Sequence, residues 1–167
     1  EQRDDVTEAA YIEMIRLKTS VLLGCALELG AIIGGADTMA AQQIYRFGEQ
    51  LGLAFQIQDD LLDLYGESAQ VGKQIGGDVL ANKKTLLSIS AKRAASQNQL
   101  AALQEIENTS DPLIKVERTQ KLYTELGARA YCETQMEFHH NQALSALENM
   151  ELSNSKTELI ELANFLF

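Results

Sequence analysis

Residues 55–63 read Phe-Gln-Ile-Gln-Asp-Asp-Leu-Leu-Asp and are the most informative part of the sequence. On a helix that turns about 100° per residue, Gln56 and the three aspartates fall within a wedge about 100° wide. Apolar residues occupy most of the remaining circumference. The pattern therefore predicts a largely buried helix that carries Asp59, Asp60 and Asp63 on one narrow face.

Three neighbouring carboxylates in an apolar setting repel one another. They must either bind protons more tightly or recruit a positive charge. Oxygen-only ligands suit Mg²⁺, which keeps several waters and often bridges to the phosphates of a substrate. The alternative is that the wedge is the wet stripe of an amphipathic helix. Because the wedge is narrow, we favour the metal interpretation.

A glycine-rich, locally basic segment follows this helix. Residues 66–78 contain four glycines, which predict a loop. Residues 72–85 carry Lys73, Lys83 and Lys84 in a chain that is otherwise acidic. A basic loop after a carboxylate helix is typical of a lid over a metal-bound diphosphate. We expect Lys84 to be solvated.

Composition and helix-ending residues indicate an all-α protein. The 167 residues include one proline and no tryptophan. Asp37 is a candidate N-cap, Gly34-Gly35 ends the preceding helix, and Asp111-Pro112 begins a later one. We expect helices over residues 11–33, 38–65, 85–107 and 112–150, and a short final helix that packs apolar residues between 159 and 165 onto the core.

Charge and hydropathy exclude several classes of protein. The formal charge of −10 opposes binding to nucleic acid or to anionic lipid. The longest apolar stretch, residues 19–35, is interrupted by Glu28, so we expect no stable membrane insertion. Cys25 and Cys132 lie in apolar helical contexts, which predicts free, buried thiols. The N-terminus has no signal peptide, which predicts a cytoplasmic protein.

Three blocks of the sequence resemble the polyprenyl synthase family of trans-prenyltransferases, which includes geranyl, farnesyl and longer-chain diphosphate synthases. The resemblance implies the C-terminal part of the isoprenoid-synthase helical bundle, as a single domain over residues 1–167. The family's first aspartate-rich motif is absent from this chain. The blocks are Lys18-Thr19, then Phe55-Gln56 with Asp59, Asp60 and Asp63, then Gly72-Lys73, Gly76, Asp78, Lys83 and Thr85.

The resemblance also implies a reaction, in which an allylic diphosphate ionises and the allyl cation is attacked by isopentenyl diphosphate. Asp59 would ligate Mg²⁺ directly, and Asp60 and Asp63 would complete the shell of metal and water. Such a site would stabilise the leaving diphosphate while apolar walls exclude water.

The remaining residues that carry the resemblance would bind substrate. Lys18, Lys73 and Lys83 would contact the allylic diphosphate. Lys18 lies on a helical face with apolar residues, where its ammonium needs either water or an anion. Thr19 and Gln56 would line the cavity beside the reacting carbons, where polar oxygens can stabilise a developing cation.

Two alternatives stay open at this point. A helical terpene cyclase also uses carboxylates and Mg²⁺ on an isoprenyl diphosphate, although the Gly-Lys and Lys-Lys-Thr segments favour prenyl transfer. A non-catalytic helical partner subunit would keep the fold without needing the aspartate wedge. The family implies a homodimer. Because the first aspartate-rich motif is absent, we expect the chain alone not to turn over.

Overall fold

The computed structural model describes residues 6–66, 75–148, 150 and 155–167, and all regular secondary structure in them is helical. The expectation of an all-α protein is confirmed. The helices are α1 (Glu8–Ile15), α2 (Val21–Ile33), α3 (Thr38–Tyr65), α4 (Gly77–Leu80), α5 (Leu86–Ala94), α6 (Gln97–Glu107), α7 (Pro112–Glu125), α8 (Ala128–Glu148) and α9 (Ser155–Phe165), and a π-helical turn (Arg16–Ser20) joins α1 to α2.

Helix α3 begins and ends at the predicted residues. Strong local signals define its start. The side chain of Asp37 accepts the N–H of Ala40 at 2.8 Å, as an N-cap does. Just before it, Gly35 has a φ of +86°, a conformation in which a helix readily ends. Asp111 caps α7 in the same way, accepting the N–H of Leu113 at 2.9 Å.

Two segments that were expected to be single helices are each divided in two. The segment 85–107 breaks before Ser96, whose backbone N–H donates to Oε1 of Gln99 at 3.0 Å, half of a capping box. The segment 112–150 breaks at Gly127, which has a φ of +72°. In both cases a local capping signal overrides the helical periodicity on which the prediction rested.

The described residues belong to two compact units, one formed by residues 1–11 and 59–134, the other by residues 12–58 and 135–167. In the first unit, α7 packs against α4, α5 and α6. The core of the second unit joins side chains of α3, α8 and α9. Its most buried members are Ile44, Phe47, Leu51, Ala143, Leu147 and Ala163. The single domain expected over residues 1–167 stays a prediction.

In the second unit, small residues bring the backbones of α2 and α3 close together. A Cβ placed on Gly52 would lie 2.7 Å from the Cα of Ser20. A Cβ on Gly48 would lie 2.9 Å from the Cα of Gly24. Neither distance is compatible with a side chain, so glycine permits the approach. The contact places the π-helical turn against the middle of α3.

One face of α2, within the helix expected over residues 11–33, is apolar and exposed in this chain. Leu22, Leu29 and Ile33 are 72%, 59% and 85% exposed within this chain. Spaced by seven and four positions, they form an apolar stripe along the helix. None of the described helices is both long and apolar enough to cross a bilayer.

Replacing Gly52 with alanine tests the close approach of α2 and α3. Gly52→Ala is expected to lower the free energy of unfolding by about 1–3 kcal/mol, because the new methyl group must displace the backbone of Ser20. Gly30→Ala is the matched control, since no atom lies within 4 Å of a Cβ there. That variant should gain about 0.5–1 kcal/mol from helix propensity. Urea unfolding followed by circular dichroism measures both, and equal stabilities would contradict the contact.

Candidate functional site

The carboxylate of Asp60 is turned into the interior of the first unit. Asp60 is 7% exposed and accepts a hydrogen bond from the hydroxyl of Tyr11. Burial raises the pKa of Asp60 to about 7, although hydrogen bonds from Tyr11 and from the backbone of Leu86 oppose the shift. Burial likewise raises the pKa of Tyr11. Asp60 therefore does not lie on a wet helical stripe.

Asp63 ties the segment after residue 74 to the end of α3. Its Oδ2 accepts the backbone N–H of Asp78 at 2.9 Å, and its backbone carbonyl accepts the N–H of Gly76 at 2.6 Å. Burial raises the pKa of Asp63, while the N–H of Asp78 opposes the shift. Gly76 has a φ of +76°, and a Cβ there would lie 2.4 Å from a methyl carbon of Val116. The segment therefore fits closely.

Lys83 also contacts Asp78, the residue whose N–H binds Asp63. Its ammonium binds the carboxylate of Asp78, and its backbone N–H donates to the carbonyl of Asp78 at 2.9 Å. The hydrogen bond to Asp78 raises the pKa of Lys83. The Lys83 side chain is 51% exposed, which leaves it accessible to solvent. Asp63 and Lys83 therefore both bind Asp78, and the basic segment does meet the carboxylate end of α3.

A small cavity of about 30 Å³ lies inside this arrangement. Charged groups from three segments line it, including Asp60, Asp63, Asp78, Lys83 and Lys115. A volume of this size and polarity accommodates about one or two water molecules. It is too small for a diphosphate, and Asp59, which does not line it, is exposed.

The three aspartates do not converge on one point. Asp60 and Asp63 bind Tyr11 and Asp78, respectively, whereas Asp59 is exposed. Among the described residues, no three His, Cys, Asp or Glu side chains are grouped so that they could hold a metal ion. The donor chemistry nevertheless fits Mg²⁺, because every candidate atom is a carboxylate oxygen. The metal role of the aspartates stays a prediction.

Thr19 and Gln56 form a second polar pair, in the other unit. Thr19 lies in the π-helical turn, and its hydroxyl donates to Oε1 of Gln56 at 2.9 Å. Single π-helical turns inside helices are frequent at functional sites. Lys18 is exposed, so its ammonium reaches water and needs no buried anion. Lys73 lies outside the described residues.

Two side chains that organise the site were not predicted from the sequence. Tyr11 lies in an apolar helical run and is 49 positions from its partner Asp60, so no local pattern indicated it. Lys115 is buried on the same face of α7 as Thr119 and Tyr123. The spacing of four residues between these side chains was a detectable signal, because a lysine on a buried stripe needs partners.

Comparisons with known proteins give a consistent result. Residues 1–126 match the family model described as polyprenyl synthetase. The short chain isoprenyl diphosphate synthase of Methanothermobacter thermautotrophicus is 34% identical over 166 residues, which are 99% of this chain and 51% of the relative. The chain thus spans about half the length of the curated relatives it matches.

Two solved structures show the same correspondence. The polyprenyl synthetase from Streptomyces coelicolor has a TM-score of 0.89 at 31% identity, over 98% of this chain and 51% of that one. The geranylgeranyl pyrophosphate synthase from Corynebacterium glutamicum, complexed with isoprenyl diphosphate and magnesium, has a TM-score of 0.84 at 25% identity. The latter match covers 95% of this chain and 46% of that one.

The buried carboxyl of Asp60 is expected to make stability depend on pH. Its folded pKa of about 7 lies above its ordinary value of 3.8, so its contribution to stability is complete below pH 3.8 and is lost as pH rises through 7. Asp60→Asn keeps an acceptor for Tyr11 but cannot ionise. Between pH 5 and pH 8, the free energy of unfolding should therefore fall roughly 1–3 kcal/mol more in the wild type than in the variant.

Urea unfolding at the two pH values, with a chelator present, measures this difference. Burial lowers the pKa of His139, which works in the opposite direction, but His139 is present in both proteins and its effect cancels. Asp37→Asn is the control, because it removes an exposed carboxylate while asparagine still caps α3. The same pH dependence in Asp60→Asn and the wild type would contradict the burial of an ionisable Asp60.

Proposed function

We propose that this chain, which belongs to the polyprenyl synthetase family and has the isoprenoid-synthase helical fold, forms the C-terminal half of a prenyltransferase. In this proposal the chain supplies the second aspartate-rich region of an enzyme that condenses isopentenyl diphosphate with an allylic diphosphate. One observation carries the proposal: Asp63 and Lys83 both bind Asp78, so a carboxylate helix and a basic segment meet.

Mg²⁺ is the metal that this proposal requires. Asp59 would ligate it directly, and Asp60 and Asp63 would complete the shell of metal and water. When bound, the ion would neutralise the charge that develops on the diphosphate as its bond to carbon breaks. Burial is the main cause of the raised pKa values of Asp60 and Asp63, and repulsion from Asp59 and Asp78, which a bound cation would relieve, adds to both. The Corynebacterium glutamicum relative, solved with isoprenyl diphosphate and magnesium, supports the choice of ion.

The lysines are proposed to bind the diphosphate itself. Lys18, Lys73 and Lys83 would contact it, which supplies local positive charge in a chain whose formal charge is −10. Departure of the diphosphate leaves an allyl cation. The oxygens of Thr19 and Gln56 would stabilise that cation, and the double bond of isopentenyl diphosphate would then attack it before a proton is lost.

Removing one carboxylate tests the metal and diphosphate roles together. Geranyl diphosphate is titrated calorimetrically into the 167-residue chain, with Mg²⁺ and with a chelator. We expect binding only with Mg²⁺, and Asp59→Asn should raise the dissociation constant by about tenfold or more, as loss of a charged interaction does. Asp111→Asn is the matched control, because it also removes one carboxylate but asparagine still caps α7.

Two outcomes would overturn this proposal. If the wild-type chain binds geranyl diphosphate in neither condition, the described residues do not form a half-site. If Asp59→Asn binds as the wild type does, the aspartate wedge is not the metal site. Sustained Mg²⁺-dependent product formation by the 167 residues would separately contradict the expectation that they cannot turn over alone.

We also propose that the chain self-associates through the apolar stripe of Leu22, Leu29 and Ile33 on α2, in accord with the expected homodimer. Sedimentation velocity over a range of concentrations should show a dimer for the wild type. Leu29→Glu should shift it to monomer, because a carboxylate cannot be buried in an apolar interface. Leu113→Glu, at an exposed leucine of α7, is the control. A wild-type monomer at every concentration would contradict self-association.

A further inference from the structure

Lys115 is a buried lysine that the proposed reaction does not use. Only 6% of its surface is exposed. Its ammonium donates to Oδ1 of Asn82 at 2.7 Å and to the backbone carbonyl of Glu107 at 3.0 Å. Burial of an ammonium is unfavourable unless its donors are satisfied, and these two acceptors satisfy two of its three N–H groups. The bond to Asn82 is therefore a strong constraint on that residue.

Asn82 has an unusual backbone conformation. Its φ is +51°, and it is the one residue other than glycine with a positive φ among those the structure describes. A β-carbon disfavours this left-handed region, although asparagine enters it more readily than most residues. Here it closes the end of α4, where the N–H groups of Asn82 and Lys83 donate to the carbonyls of Val79 and Asp78. The bond from Lys115 holds the side chain of Asn82 from the neighbouring helix α7.

The conformation of Asn82 determines where the next residue points. Lys83 follows it directly, with its backbone N–H on the carbonyl of Asp78 and its ammonium on the Asp78 carboxylate. A change in the backbone angles of Asn82 would rotate Lys83 away from both acceptors. The direction of the Lys83 side chain therefore depends on the left-handed conformation one residue earlier.

We propose that Lys115 is a positioning residue for Lys83, acting through the side chain of Asn82. The coupling between these three residues stands on the hydrogen bonds alone. Its consequence for diphosphate binding rests on the proposed function. Lys115 would not touch the diphosphate, and its effect would pass entirely through Asn82. Removal of Lys115 should therefore disturb Lys83 only when residue 82 has a side chain that Lys115 can hold.

A double-mutant cycle tests this condition in the full 167-residue chain. The four proteins are the wild type, Lys115→Met, Asn82→Gly and the double variant. Glycine enters the left-handed region without a β-carbon penalty and has no side chain for Lys115 to hold. Lys115→Met should therefore disturb Lys83 in the wild-type background and leave it almost unchanged in the Asn82→Gly background. A purely structural role, through Glu107 or through packing, would have the same effect in both.

Hydrogen exchange of the Lys83 amide, measured by NMR without ligand, is the first readout. Lys115→Met should lower its protection about tenfold relative to the amide of Ile89, which bonds to Thr85 within the same unit. In the Asn82→Gly background the same change should be less than twofold. Asn82→Ala provides a second route if Lys115→Met fails to fold, since it removes the acceptor and should lower the protection of Lys83 similarly.

Binding of inorganic pyrophosphate in the presence of Mg²⁺, measured by calorimetry, is the second readout. The dissociation constant should follow the same pattern, and Lys83→Ala should weaken binding less in the Lys115→Met background than in the wild type, because Lys83 is already displaced there. If the exchange pattern holds but the wild-type chain binds no pyrophosphate, the positioning role stands and the proposed function fails. If Lys115→Met has equal effects on Lys83 in both backgrounds, or none, the positioning role is overturned.

Discussion

The hydrogen bond from the backbone N–H of Asp78 to the carboxylate of Asp63 organises the first unit of this protein. It fixes the start of α4 against the end of α3 across the residues that separate them in sequence. Asp78 also binds Lys83. The backbone N–H of Asp78 therefore contacts the carboxylate of Asp63, while its side chain contacts the ammonium of Lys83. Asp63, Asp78 and Lys83 all line the small cavity, together with the buried Asp60.

In the second unit, close packing of two backbones brings a pair of polar side chains together. Its polar pair, Thr19 and Gln56, is brought together because Gly52 lets the π-helical turn approach α3. A hydrogen bond of 2.9 Å between two half-buried side chains requires that the backbones be held at a fixed separation. Thr19 and Gln56 therefore lie on helical backbone, whereas Lys83 in the first unit lies between α4 and α5.

Local signals in the sequence predicted much of this structure. The caps at Asp37 and Asp111 and the bounds of α3 follow from residue types whose effects reach only a few positions. The breaks before Ser96 and at Gly127 were missed because helical periodicity continues across both, and only the capping residues reveal them. The aspartate wedge was found, but a helical wheel gives directions and not partners. Its division between an exposed Asp59 and a buried Asp60 could not be deduced.

Contacts between distant positions account for the rest. The partners of Asp60 and Asn82 come from α1 and α7, at separations of 49 and 33 residues. No rule of spacing links such positions, since packing of whole helices brings them together. Lys115 is an intermediate case. Its place on the buried stripe of α7 could be identified from the sequence, whereas the residue that it binds could not.

Two glycines with similar backbone angles differ in how much sequence variation they should tolerate. Gly35 has a φ of +86° with no atom within 4 Å of a Cβ, so asparagine or aspartate can replace it at a modest cost in backbone energy. Gly76 has a φ of +76° and packs against Val116, so a replacement meets both a torsional and a steric barrier. A side chain at position 76 would fit only if position 116 carried a smaller side chain than valine. Positions 76 and 116 are therefore sterically coupled, whereas position 35 is not coupled to a neighbour in this way.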